Sequence, residues 1–265
     1  VLVKQRNDNY WFIPVPLRYE NQILGLINPG CTYRPSESSR KALGTMALIA
    51  GSALNNMSLR EEVLLAMTKA LEARDDETEA HARRVSMYAG HLAVRLGMDA
   101  YEIRFLRWGS LLHDIGKIGL PDAILHKPGP LTEEEMQVVK RHPQIGYDIL
   151  RNLGFLGQAR EIVLAHHEHW DGTGYPKGLQ EEEIPLGARI FSVVDAFDAM
   201  TSDRPYRKAM SFKEAKKELS RVSGRQIEPK ITHIFMNIND EELAILRQQA
   251  ESSSNLPTKN KLLER

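Results

Sequence analysis

The sequence predicts a mainly α-helical protein that opens with a small β-hairpin, and three observations carry that reading. Residues 9 to 29 hold two short β-rich runs around a polar tetrad. Residues from about Arg40 to Arg74 contain no proline and place an apolar side chain at every seventh position. From about Asp75 to Ile238 helical segments follow one another, broken by Gly/Pro punctuation.

The first two runs, Tyr10 to Leu17 and Gln22 to Ile27, flank Arg18-Tyr19-Glu20-Asn21 and read as a hairpin. Pro14 and Pro16 cannot donate to a ladder, which pushes the first run toward a sheet edge. A loop from Tyr33 to Ser39 leads into the long helix, where Ala50, Met57, Leu64 and Leu71 recur at intervals of seven with Leu54 and Met67 beside them. That spacing fits a helix-to-helix seam. Glu61 and Thr68 interrupt the d-like positions, so packing of the stripe on its own domain stays equally open. Beyond it, Thr132 to Glu135 and Ser211 to Glu214 are capping boxes. Turns are marked at Gly119-Leu120-Pro121, Lys127-Pro128-Gly129-Pro130, Gly172 to Gly178 and Arg204-Pro205. The expected organisation is a β-containing segment at 1–55, a connecting helix at 56–74, a helical domain at 75–245 and a polar tail at 246–265.

Composition narrows the chemistry. The chain has 265 residues, 42% of them hydrophobic, with 35 Lys+Arg against 35 Asp+Glu and one cysteine. A core can therefore form without disulfide staples. Cys31 alone supports neither a disulfide framework nor a thiolate zinc site, which fits a reducing cytosol. Zero net charge argues against a polymeric nucleic-acid binder, and no apolar run is long enough to span a membrane. The chain opens on Val1 directly into a strand-like run, so a start inside a longer protein is expected.

Eight of the nine histidines lie between His81 and His169, interleaved with carboxylates. Glu77 and His81, four apart on a predicted helix, share a face and can chelate the same or adjacent ions. Taken alone, such a pair is more often a solvated helix face. His113-Asp114 offers two adjacent ligands, and Lys117 lies one turn beyond if the helix continues. His142, before Pro143, reads as structural when taken by itself. His166 and His167 point roughly 100° apart on a helix, so they cannot share one core face and can ligate neighbouring metals. Asp195 sits within the apolar stretch Ile190 to Phe197 with Asp198 at i+3, where a metal or a salt bridge must compensate the charge.

Together these residues resemble the HD-GYP family, a branch of the HD-domain metal-dependent phosphohydrolases. The resemblance rests on His113-Asp114, Lys127-Pro128-Gly129, the string from His166 to Pro176, Ile184-Pro185-Leu186, Asp195 and Arg204-Pro205-Tyr206-Arg207, in the family's order over about residues 70 to 240. It implies an HD-domain helical bundle and a bacterial phosphodiesterase that converts cyclic di-GMP to linear pGpG, GMP or both. It also implies a cluster of two or three divalent ions, commonly iron or manganese. The ligands it implies are His81, His113, Asp114, His142, His166, His167 and Asp195, and Glu77 stands where family members with a third ion carry a glutamate. Asp114 and Lys117 would take catalytic roles, and Lys117, Arg204 and Arg207 would meet phosphate.

Metal ions held close together activate water at neutral pH, so no Ser or Cys nucleophile is required. Residues 203 to 230 hold nine Lys/Arg against four Asp/Glu, a local excess that the neutral total conceals. For Lys213, Lys216, Lys217 and Arg221 a solvated helix face is the simpler reading. In the family, the loop carrying Gly174, Tyr175 and Pro176 is linked to partner proteins, including diguanylate cyclase domains. The chain departs from the family at His169, where Arg is usual, and at Ile227-Glu228-Pro229, where Phe-Asp-Pro is usual. More weakly, the first 55 residues resemble the closing hairpin and last helix of a GAF sensory domain, and a homodimer through the connecting helix is expected. Two alternatives remain: an HD-type hydrolase of another cyclic dinucleotide, and a catalytically silent binding module.

Overall fold

The computed structural model describes residues 4–7, 10–12, 14–20, 22–27, 36–74, 79–203 and 207–253. Among them are four strands, β1 (Lys4–Asn7), β2 (Tyr10–Phe12), β3 (Val15–Tyr19) and β4 (Gln22–Ile27). The single run expected from Tyr10 to Leu17 divides at Pro14: β2 pairs with β1, whereas β3 pairs antiparallel with β4. Proline has no N–H with which to continue a ladder, so the pairing changes partner there. The β3–β4 register places Val15 opposite Ile27 and Tyr19 opposite Gln22, and Glu20 after β3 has φ 48°. Val15 and Leu17, two apart on one face of β3, are buried against Leu43, Ala47 and Ala50.

Those last three residues belong to α1 (Glu37–Glu72), a helix of 36 residues whose first turn is capped by the Ser36 hydroxyl accepting from the Ser39 amide. Gly51 is required where α1 crosses the hairpin, because a Cβ there would lie 2.2 Å from the Arg18 carbonyl oxygen. The chain divides into two compact units between Val63 and Leu64, inside α1 rather than at its ends. The seven-residue stripe divides with it. Leu64 and Leu71 are buried in the second unit against Phe105, Trp108, Leu112, Leu150, Leu156 and Val163. Thr68, which breaks the apolar pattern, also faces inward, its hydroxyl donating to the Leu64 carbonyl at 3.0 Å. This half of the stripe therefore packs on its own domain, while Leu48, Ile49, Leu54, Leu59 and Val63 are exposed.

The second unit is built from α2 (Glu79–Arg95), α3 (Ala100–Leu112), α4 (Asp122–Leu125), α5 (Glu133–Val139), α6 (His142–Leu150), α7 (Ala159–Ala165), α8 (Leu186–Thr201), α9 (Phe212–Val222), α10 (Pro229–Met236) and α11 (Asp240–Ser253). The expected capping boxes at Thr132 and Ser211 are present, and Asp99 adds a third before α3. The main core joins Val85, Tyr88 and Leu92 of α2 to Phe191, Val194 and Phe197 of α8 and to Phe235 and Leu243. A polar tail was expected from residue 246, but α11 continues to Ser253. Ala250 is buried and Arg247 is hydrogen-bonded to the Thr201 carbonyl, so the polar residues around them form the outer face of a packed helix.

Truncating the buried part of α1 should cost stability that truncating its exposed part does not. Leu64→Ala is expected to lower the unfolding free energy by about 3 kcal/mol. Leu59→Ala, on the exposed part, should stay within about 0.5 kcal/mol of the parent. Urea unfolding of both variants measures the difference.

Candidate metal centre

Three of the central histidines stand at the C-terminal end of a helix or at the start of the next, and each uses the same local device. His113 follows α3 and its Nδ1 donates to the Ser110 carbonyl at 2.9 Å. His142 opens α6 and donates to Val139 at 2.8 Å. His166 follows α7 and donates to Val163 at 2.7 Å. Each carbonyl lies three residues back, among those a helix end or turn leaves unpaired. A proton held on Nδ1 makes Nε2 of the neutral ring an acceptor, and all three Nε2 atoms turn inward.

They meet at Asp114. Its Oδ2 is 3.1 Å from His113 Nε2, while its Oδ1 is 3.1 Å from His142 Nε2 and 3.9 Å from His166 Nε2. The carboxylate thus presents one oxygen to each side, the arrangement of a bridging ligand. His142 Nε2 and His166 Nε2 are 3.1 Å apart. Burial, then the neighbouring His167, drives the pKa of His166 well below its ordinary value and keeps the ring neutral. Acceptors of one kind converging in this way suit a divalent cation, and the donor set of imidazoles and carboxylate without thiolate fits one.

Asp114, His142, His166 and His167 form one group whose ligand atoms lie within 4.8 Å of one another, and His81, His113 and Asp195 form a second. His166 and His167 fall in the same group rather than on neighbouring ones. α7 ends at Ala165, and the ring centroids of His166 and His167 are 4.1 Å apart. His167 is held between His166 and the stacked ring of Tyr175, 4.7 Å away; burial lowers its pKa to about 3 and raises that of Tyr175 to about 12. Lys117 lies in the 3-10 helix Ile115–Gly119, not on a continuation of α3, and reaches Asp114 Oδ2 at 2.9 Å.

The second group is supported differently. His81 on α2 presents Nε2 to Asp195 Oδ1 at 3.5 Å and Nδ1 to Asp198 Oδ2 at 2.8 Å. Asp198, not Asp195, is the fully buried carboxylate, and Arg84 compensates it through Nε at 2.7 Å and Nη2 at 2.9 Å. Burial opposes ionisation of Asp198, but hydrogen bonds from His81 and Arg84 outweigh it and hold the pKa at about 2. Sequence reasoning placed Asp198 but not its role, and missed Arg84; the signal was Arg84 at i+3 from His81, on the helix face that turns toward α8. It also missed Glu168, whose buried carboxylate accepts from the Lys177 amide at 2.8 Å and the Leu179 amide at 3.0 Å and so anchors the loop holding Tyr175.

Glu77 and Arg204 lie outside the described residues. Arg207 donates through Nη2 to the Ala199 carbonyl at 2.6 Å, one turn past Asp195 on α8. Lys216 is no solvated cation: it donates to the Ile238 carbonyl and to Asp240 at the start of α11. Gly174 packs so closely that a Cβ would lie 2.2 Å from the His169 nitrogen, while Pro176 is exposed.

With this geometry in place, comparisons with known proteins agree on the fold. The profile of a family described as HD domain matches residues 66–231. A cyclic di-GMP phosphodiesterase of Thermotoga maritima is 41% identical over 195 residues, 73% of this chain and 53% of that protein. A 3'3'-cGAMP-specific phosphodiesterase 2 of Vibrio cholerae is 37% identical, over 79% of this chain and 42% of that protein. The chain spans about half the length of the curated relatives it matches. Among solved structures, a cyclic GMP-AMP-specific phosphodiesterase of Vibrio cholerae superimposes with a TM-score of 0.56 at 22% identity, over 75% of this chain and 54% of that one.

His166 sets a pH dependence whose sign follows from its environment. Its folded pKa lies below the ordinary value of 6.5, so under that pH the unfolded chain takes up a proton that the native state refuses, and stability falls with pH. The metal-free protein should lose up to about 1.4 kcal/mol per pH unit on this account. Urea unfolding between about pH 7.5 and about pH 5 measures the slope. In His166→Gln it should be shallower.

Proposed function

The chain belongs to the HD-domain family, and we propose that it is the phosphodiesterase portion of a bacterial signalling protein, of the HD-GYP branch, acting on cyclic di-GMP to yield linear pGpG, GMP or both. The convergence of His142 Nε2, His166 Nε2 and Asp114 Oδ1 within 3.9 Å carries this reading. The residues that would hold the ions are Asp114 with His142, His166 and His167 on one side and His81, His113 and Asp195 on the other. Iron or manganese suits their mixed nitrogen and oxygen donors. Bound there, the ions would supply Lewis acidity toward phosphate oxygens and lower the pKa of water.

The protein's own groups would do the rest. Asp114 holds both halves in register and fixes the Lys117 ammonium 2.9 Å from its own Oδ2. From there Lys117 can neutralise charge developing on a leaving oxygen or on a non-bridging phosphate oxygen. Arg204 and Arg207, which follow α8 in the sequence, are assigned to phosphate contacts. Tyr175 walls the site beside His167, which leaves Pro176 and Lys177 as the outward part of the loop for a diguanylate cyclase partner. The β3–β4 hairpin and the first half of α1 are read as the close of a GAF-like sensory domain, and the exposed apolar side chains between Leu48 and Val63 as a homodimer seam. No described helix is long and apolar enough to cross a membrane, and we place the chain in the cytoplasm. A second reading is favoured by the relative named for 3'3'-cGAMP: the same centre acting on that dinucleotide.

Metal quantified in the purified protein, followed by assays on cyclic di-GMP and 3'3'-cGAMP in parallel, separates these readings. Hydrolysis of cyclic di-GMP should fall at least about 100-fold in His113→Ala, whose Nε2 faces the centre. Turnover of 3'3'-cGAMP alone selects the second reading, and absence of both metal and turnover refutes the enzyme. Glu77 is assigned to a third ion. Glu77→Ala should lower the metal-to-protein ratio by about one while the other ions stay; an unchanged ratio removes that role.

A further inference from the structure

We propose that α11, through Arg247, is a positioning element for the His81 side of the metal centre, while the Asp114 side stands without it. This inference rests on the metal-centre reading above. Two observations carry it. The first is the contrast in how the histidines are aimed: His113, His142 and His166 each lean on a carbonyl three residues back in their own segment, so their orientation is set locally. His81 instead pairs its Nδ1 with the carboxylate of Asp198, 117 residues further along the chain.

The second is the chain of contacts that fixes Asp198. Arg84 grips both of its oxygens and also donates through Nη2 to the Ser202 hydroxyl at 3.1 Å. Arg247 of α11 donates to the same hydroxyl at 3.0 Å and to the Thr201 carbonyl at 2.9 Å, and its Nε lies 3.5 Å from Glu251 one turn on. Arg84 Nη1 is 3.9 Å from Glu251 as well. The two guanidinium groups therefore share a hydroxyl and a carboxylate, and α11 closes the network from outside. α11 begins at Asp240, beyond the stretch 66–231 that matches the HD domain, and belongs to the same compact unit. Removing Arg247 frees Ser202 and Arg84 to shift. Asp198 is then less firmly held, and His81 Nε2 loses its fixed aim toward Asp195.

The test uses the full chain, stripped of metal with a chelator, and Mn2+ as the probe in calorimetric titrations. His142→Ala leaves the His81 side to be read, and His81→Ala leaves the Asp114 side. Adding Arg247→Ala should weaken Mn2+ binding about tenfold in the His142→Ala background, at the low end for loss of an outer hydrogen-bond partner. In the His81→Ala background it should change nothing. Ser202→Ala, which removes one hydroxyl and keeps the fold even if Arg247→Ala does not, should weaken binding in the same background only. Arg247→Lys should restore part of the affinity. Equal weakening in both backgrounds would mean general loss of structure, and no weakening in either would mean that α11 has no part in aiming His81; each overturns the proposal. Parent protein that binds no Mn2+ overturns the metal-centre reading itself, and this inference with it.

Discussion

The arrangement depends on forcing acceptors together. His142 Nε2, His166 Nε2 and Asp114 Oδ1 carry lone pairs and lie 3.1 to 3.9 Å apart, which is repulsive until a cation joins them. Folding must supply the work of bringing them there, and the backbone shows where it does. The 3-10 helix that follows Asp114 lies against α6 so closely that a Cβ on Gly116 would sit 1.9 Å from the His142 carbonyl oxygen and 2.5 Å from the Gly146 nitrogen. α3 approaches α7 in the same way, since a Cβ on Gly109 would be 2.8 Å from the Ala159 carbonyl oxygen. Glycine at these positions lets three segments close on one point, and the apolar packing of Leu112, Ile115, Leu150 and Val163 behind them holds them closed.

The two halves of the centre obtain rigidity from different sources. For His113, His142 and His166 the support is short-range, each ring tied to a carbonyl three residues back. On the His81 side a buried carboxylate needs a buried guanidinium, and burial opposes the charge of Arg84 until Asp198 reverses the balance and raises its pKa. A pair of this kind is sensitive to loss of either member, because the survivor is an uncompensated buried charge. The long-range half is therefore the one on which distant elements can act.

Much of this was legible in the sequence because chemistry and spacing coincide. Helices with capping boxes and the crowding of histidines between His81 and His169 each have a direct physical reading. What was not legible depends on where chains pass one another. The division of the first strand at Pro14 required knowing that β1 competes for β2. The closeness of His166 and His167, both in the group with Asp114 and His142, is set where α7 ends at Ala165 and is not given by their place in the sequence. Asp198 and Arg84 are ordinary members of amphipathic helices until α2 and α8 are laid side by side, and the polar residues after 246 look like a tail until Ala250 is seen to be buried.

The second half of α1 belongs to the foundation of the site for the same reason. Leu64, Met67 and Leu71 share a core cluster with Trp108 and with Leu112 and Ile115, the residues on either side of His113-Asp114. At its end Arg74 donates to the carbonyls of Ile118 and Leu120 and, through Nε at 3.0 Å, to Asp122, so it grips the segment that carries Lys117 from the other side. Interiors are close-packed and transmit displacement rather than absorb it. The 3-10 helix after Asp114 has little room to shift, because Gly116 and Gly119 already lie in contact with α6. The second half of α1 thus backs the segment that carries Asp114 and Lys117.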